Sequence, residues 1–177
     1  MPMTGETYSF PTRLLHWLAA AVIVVAFFIG LTMLRIASGP TQDSLFFWHE
    51  SLGTTVLALA ALRLAWRAIS PPPPLPATVP VWIRTAAPAS HNVLYALMLL
   101  QPIIGWLGAS AFGAVVNVFG LFDLPVLLHE DKSLAALLFL IHKVVAFMLA
   151  ALVTLHVGGA LFHLVIRRDG VFRRMTG

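Results

Sequence analysis

A chain of 177 residues that is 59% hydrophobic, only 10% charged and has a mean hydropathy of +0.90 is not a water-soluble globule. Soluble domains carry about 25% charged residues, and a chain this short cannot hide so much apolar surface. The net charge of +4 then reads as basic residues held on one side of a bilayer rather than a nucleic-acid surface, and the absence of cysteine excludes disulfides, thiol catalysis and thiolate-held iron–sulfur clusters.

Four apolar runs approach or exceed the roughly 20 residues that a helix needs to cross a bilayer. The first runs from about Leu14 to Leu34. It is too long for an ordinary signal peptide and lacks the small-residue cleavage pattern, so it is expected to stay as a span. The second covers about Leu45 to Trp66, with Glu50 near its start and Arg63 near its end. Proline then crowds positions 71–80, which forbids helix and predicts an extended loop outside the hydrocarbon. The third span is expected from His91 to Ala109, bent at Pro102. The apolar stretch from Ser110 to Pro125 is rich in Gly, Asn and Asp and reads as a loop, an interfacial segment or a short re-entrant helix. The fourth span, Ser133 to Ile166, is long enough to tilt or to project beyond the bilayer. The expected architecture is therefore all-α: one four-helix membrane domain over residues 1–177, with lipid as its surroundings and no nucleic acid as a partner.

Charge gives the orientation. The side holding both termini carries Arg13, Arg63, Arg67, Arg84, Arg167, Arg168, Arg173 and Arg174 against Glu6 and Asp169. The other side carries Arg35, Lys132 and Lys143 against Asp43, Glu50, Asp123, Glu130 and Asp131. The excess of arginine places both termini in the cytoplasm.

Seven histidines among so few charged residues demand an explanation. One buried histidine commonly does no more than pack and hydrogen-bond, but here four fall into two depth-matched pairs. His142 and His156 are 14 residues apart on the fourth span, about 21 Å of rise and 40° short of four full turns. Both imidazoles thus leave nearly one face, one toward each membrane surface. His16 offers an inner partner and His49 an outer one. Imidazole is a good iron ligand, and a bis-histidine haem b takes one from each of two facing helices. The expectation is two stacked haem b groups, the inner on His16 and His156 and the outer on His49 and His142. Gly30 and Gly105, each 14 residues past a histidine, fall at the outer depth and would let a flat macrocycle approach; Gly53 and Gly158 would relieve crowding around the rings. Arg63, 14 past His49, falls at the inner depth, where it would pair with a propionate or else snorkel to the surface. Zinc or di-iron chemistry wants carboxylates or cysteines grouped at one depth, and these are missing. No HExxH, Walker or Gly-x-Gly-x-x-Gly motif is present, so hydrolysis has no seat.

The segments YSFPTRLLHWLAA at 8–20, FFWHESLG at 46–53, HNVLYALMLLQPIIGW at 91–106 and the closing stretch from Ile141 to Met175 together resemble the prokaryotic cytochrome b561 family, over nearly the whole chain. The resemblance is greatest to stand-alone diheme members that oxidise periplasmic superoxide and reduce ubiquinone in the cell inner membrane. It implies the same four iron ligands, a quinone or proton role for His163, and a family histidine at His91 that contacts a propionate or quinone or replaces His16 as ligand. Arg35, Lys132 and Lys143 are then the candidate cations for attracting superoxide. The family also serves as an electron conduit for hydrogenase-like and molybdenum enzymes and for soluble cytochromes, and the acidic outer loop at Asp123, Glu130 and Asp131 would suit a basic donor protein. A haem-free membrane scaffold is the remote alternative.

Overall fold

The computed structural model describes residues 7–75 and 79–177; Glu6 of the charge balance and Pro76 of the proline loop lie outside them. Four long helices make up the molecule: α1 Phe10–Met33, α2 Pro40–Ile69, α3 Val81–Phe112 and α4 Lys132–Phe162. Each is long and apolar enough to cross a membrane. The protein is an all-α, four-span membrane bundle.

The ends of the helices follow local chemistry. Proline lies in the first turn of α1 and α2, where its missing N–H is not needed. Gly113, at φ 85°, stops α3 in the left-handed conformation that glycine adopts freely. The Asp131 side chain caps α4 by accepting from the Ser133 and Leu134 amides. At its far end α4 widens into a π-helical turn, His163–Arg167, closed by the Arg168 amide donating to the His163 carbonyl.

All four helices begin before their expected spans, α3 by the most, whereas α1 stops one residue short of Leu34 and the regular part of α4 stops at Phe162, its last turn being π-helical. Helix α3 begins at Val81, not His91, and holds both Pro88 and Pro102 inside it. Pro88 is tolerated because the turn it disrupts is exposed at Arg84, Thr85 and Ala86, so the freed carbonyl is not buried against a neighbouring helix. His91 consequently sits well inside α3 rather than at its start. The 110–125 stretch contains no re-entrant helix. Its centre is a hairpin, β1 Asn117–Val118 against β2 Phe122–Asp123, with Asn117 opposite Asp123. Residues 71–75 have no helix or strand, as the prolines require.

Packing pairs α1 with α2 and α3 with α4, and α2 joins the pairs through α3. The mid-membrane core is narrow: Ala19, Ala60, Leu94, Leu97, Met98 and Leu149. Much of the remaining apolar surface faces outward, for example Phe28 at 61% and Leu155 at 72% exposure, as a lipid-facing surface must. On the side of the termini, the Tyr8 amide donates to the Arg174 carbonyl, Trp17 Nε1 to the Met175 carbonyl and Arg174 to the Pro74 carbonyl. Both ends and the proline loop thus meet on one face, called inner below. On the outer face the fully buried Ser51 hydroxyl accepts from the Phe119 amide and seats the hairpin on α2.

Candidate functional site

Four of the histidines meet in two pairs at two depths, as the helix arithmetic expects. His49 on α2 faces His142 on α4 with ring centroids 6.1 Å apart. His16 on α1 faces His156 on α4, also at 6.1 Å. Among the described residues no group of three or more His, Cys, Asp or Glu side chains could cage a metal ion by itself. Paired imidazoles suit a different arrangement, in which the protein supplies two axial ligands and a macrocycle supplies the rest. Two metal–nitrogen bonds of about 2.0 Å, with about 1.1 Å from each nitrogen to its ring centre, require centroids about 6.2 Å apart. Both pairs meet that requirement.

The outer pair is held in the tautomer a metal needs. His49 Nδ1 donates to the Ala26 carbonyl at 2.9 Å, and His142 Nδ1 to the Gln101 carbonyl at 3.0 Å. Each ring therefore presents its Nε2 lone pair, the usual orientation of a ligating imidazole. Two glycines make these bonds possible. A Cβ on Gly30 would lie 2.8 Å from His49 Cε1, and one on Gly105 2.8 Å from His142 Cε1. Each glycine stands four residues past the carbonyl that its histidine reaches, so the ring lies in a notch along the helix. The sequence placed these glycines at the right depth; in the structure the group they directly admit is the imidazole. At Gly53 and Gly158 an added Cβ meets nothing within 4 Å.

Gln101 was missed by sequence reasoning because glutamine beside a helix proline carries no motif. Its amide donates to His142 Nε2 at 3.1 Å, while its Oε1 is buried without a partner. An unpaired buried acceptor costs about 1–3 kcal/mol. A metal taking the Nε2 lone pair would displace this amide and free it to re-pair.

The inner group holds three imidazoles. His91 on α3 lies 5.4 Å from His156, too close for two axial ligands on opposite sides of one metal. His16 has the right separation, but its Nδ1 accepts from Arg63 at 3.1 Å. A guanidinium can only donate, so the His16 ring proton sits on Nε2. Ligation through Nε2 needs that proton moved to Nδ1 and Arg63 withdrawn, and a carboxylate such as a propionate is the group to withdraw it. Arg63 and Arg67 flank the Tyr95 ring at 5.3 and 5.8 Å. The residues fit two haems, the outer pair once the Gln101 amide leaves His142 Nε2 and the inner pair once Arg63 leaves His16 Nδ1.

The remaining sequence candidates divide. His163, 9% exposed, donates from Nδ1 to Asp169 Oδ2 at 2.7 Å, a pairing not anticipated because Asp169 entered only as a surface charge. Arg35 and Lys143 are exposed and, among the described residues, make no ion pair. Lys132 is engaged: its Nζ is 2.8 Å from Glu130 Oε1 and 4.1 Å from the Phe112 ring centre. His129 stays in the outer loop.

A lipid-embedded four-helix bundle carrying paired imidazoles at two depths defines a membrane electron-transfer protein of cytochrome type. Residues 7–177 match the family described as prokaryotic cytochrome b561. The chain is 34% identical to cytochrome b561 homolog 2 of Escherichia coli (strain K12) over 179 residues, covering 98% of this chain and 93% of that protein. It is 29% identical to cytochrome b561 homolog 1 of the same organism over 133 residues, 72% of each chain. The chain belongs to the prokaryotic cytochrome b561 family, whose members bind haem b. It is a multi-pass membrane protein of that oxidoreductase family, and its general activity is cytochrome b561-type transmembrane electron transfer.

Proposed function

We propose that the chain binds two haem b groups and carries electrons from superoxide on the outer side of the bacterial inner membrane to ubiquinone on the inner side. The supporting observation is the equal 6.1 Å spacing of two imidazole pairs at two depths of one bundle. His49 and His142 would hold the outer haem, and His16 and His156 the inner one. Bound haem supplies a one-electron couple at each depth.

The rest is done by the chain. The Ala26 and Gln101 carbonyls fix the outer rings, and the notches at Gly30 and Gly105 keep them seated. Arg63, now on His16 Nδ1, would pair with a carboxylate of the group held at the inner depth, and His91, 5.4 Å from His156, would flank that site. Exposed Arg35 and Lys143 attract an anion to the outer face. A cleft of about 390 Å³ opens toward lipid on the inner half, lined by Trp82, Ile83, Thr154, Gly158, Phe162 and His163. Its largely apolar walls, with the polar groups of Trp82, Thr154 and His163 among them, suit a ubiquinone ring. The stoichiometry closes: two superoxides each lose one electron to become dioxygen, and one ubiquinone takes two electrons and two protons to become ubiquinol.

A second reading has one observation in its favour. The Glu130–Lys132 pair removes one of the three outer cations and leaves an acidic loop, which suits a basic soluble donor protein in place of superoxide. One experiment separates the readings. Purified protein is exposed to superoxide with ubiquinone present, and haem reduction, ubiquinol and haem per chain are followed together. Two haems, rapid reduction and stoichiometric ubiquinol support superoxide oxidation. Two haems reduced by dithionite but not by superoxide support the protein donor. Absence of a Soret band would leave a haem-free scaffold.

A further inference from the structure

The inner cleft ends at an ion-paired cluster that electron transfer alone does not require. His163 opens the π-helical turn, which delays the return of the chain and brings Asp169 back beneath the imidazole. The Asp169 carboxylate is 8% exposed, and its Oδ2 accepts from both His163 Nδ1, at 2.7 Å, and Arg167 Nε, at 2.8 Å. Its Oδ1 accepts from the Val171 amide at 3.3 Å. Arg168 and Gly170, at φ 52° and 80°, close the loop in left-handed conformations on either side of the aspartate. A non-glycine residue in the left-handed region carries a backbone cost, and the turn it closes leads directly into Asp169. The other wall of the cleft, from α3, brings the uncharged Trp82 and Ile83. Among the described residues, the charged group paired with His163 is Asp169, which in turn pairs with Arg167.

We propose that Asp169 is a positioning residue that holds His163 as the proton donor to a quinone bound in this cleft, with Arg167 keeping the carboxylate in place. This rests on the reading of the cleft as the quinone site. With Nδ1 committed to Asp169, the Nε2 of His163 is the nitrogen left for the cleft. The carboxylate fixes the ring so that Nε2 faces the cleft, and a proton carried on Nε2 passes to a quinone oxygen as the quinone is reduced. The ring keeps its Nδ1 proton and is recharged at Nε2 from cytoplasmic water. A second electron and a second proton complete ubiquinol. His156 lies seven residues before His163, about 10 Å of helix rise, so the inner imidazoles stand about two turns of α4 from the proton donor.

The test uses the haem-loaded protein in detergent, reduced with dithionite, freed of excess reductant and mixed with ubiquinone-1 in a stopped-flow instrument. Haem oxidation is followed from pH 5.5 to 9. Asp169→Asn is expected to keep two haems and an unchanged reduced spectrum but to slow haem oxidation about tenfold at pH 7.5. Asp169→Glu restores at least half of the rate. His163→Gln is equally slow and loses the pH dependence, and adding Asp169→Asn to it slows it no further. ¹⁵N-histidine NMR of the reduced protein shows the Nδ1–H tautomer of His163 in the native chain and a mixture in Asp169→Asn. A wild-type rate and pH profile in Asp169→Asn, or additive losses in the double variant, overturn the proposal. Should Asp169→Asn fail to accumulate, Asp169→Glu and His163→Gln decide: a wild-type pH profile in His163→Gln overturns it alone. If ubiquinone-1 fails to oxidise the native protein, the quinone reading itself falls, and the proposal with it.

Discussion

At the scale of single residues, glycine decides where the outer imidazoles can lie. His49 and His142 each reach a main-chain carbonyl of a neighbouring helix only because the residue one turn further on has no side chain. Gly30→Ala or Gly105→Ala puts a methyl group 2.8 Å from an imidazole carbon that is packed between helices and cannot simply swing away. Overpacking of this kind costs about 1–3 kcal/mol and here also breaks the bond that sets the tautomer. Each alanine variant is expected to lose most of its outer haem and retain the inner one, giving about one haem per chain by pyridine haemochrome assay. Gly53→Ala behaves differently, since an added Cβ there meets no protein atom within 4 Å. It leaves the apoprotein as stable as the native chain, and a lowered haem content would therefore locate the macrocycle against that face of α2.

At the scale of the elements, α4 carries one imidazole of each pair, and the other two come from α1 and α2. The inner site has a surplus imidazole, and spacing separates its candidates: His16 matches the axial distance and His91 falls short of it. His16→Ala is expected to remove the inner haem, while His91→Ala keeps two haems and only shifts the spectrum of one; loss of the inner haem in His91→Ala alone would exchange their roles. The end of α4 makes a different prediction. Burial alone raises the Asp169 carboxyl, but hydrogen bonds from Arg167, His163 and the Val171 amide outweigh it and hold it below its usual range. A carboxylate lowered in the folded state contributes stability that is present above its unfolded value near 3.9 and is lost as pH falls through the folded value. Asp169→Asn should therefore melt lower than the native chain at pH 7, by about 3 °C. The two should converge only once the pH falls below the native carboxyl's own lowered value, where it too takes up its proton. Much of this level was legible beforehand. Four helices, the proline loop and the histidine depths follow from apolar run length and a 14-residue spacing, because a helix converts sequence separation directly into height and angle. The Asp169 clamp, the Gln101 amide and the glycine notches were not legible, because each depends on which residue a neighbouring helix or a π-turn brings close, and no periodicity within one helix contains that.

At the scale of the whole molecule, the two sites lie about 21 Å apart along α4, one near each surface, with a narrow alanine and leucine core between them. This height difference makes direction testable. Exposed Arg35 and Lys143 belong to the outer face, whereas the cleft at His163 belongs to the inner one. An electron entering from outside must then pass the outer site first. His142→Ala removes an outer ligand and leaves His16 and His156 untouched, so the inner haem should remain bound and be reducible by dithionite to its full extent. Superoxide generated outside proteoliposomes of uniform orientation should reduce that inner haem at least about a hundredfold more slowly than in the native protein, because the missing site forces electron transfer over most of the bilayer in one step. Ubiquinol supplied to the inner cleft should still reduce it at an unchanged rate. If superoxide reduces the inner haem of His142→Ala as fast as in the native protein, electrons enter beside His16 and His156. The outer pair would then be a structural strut or the exit of a current running the other way.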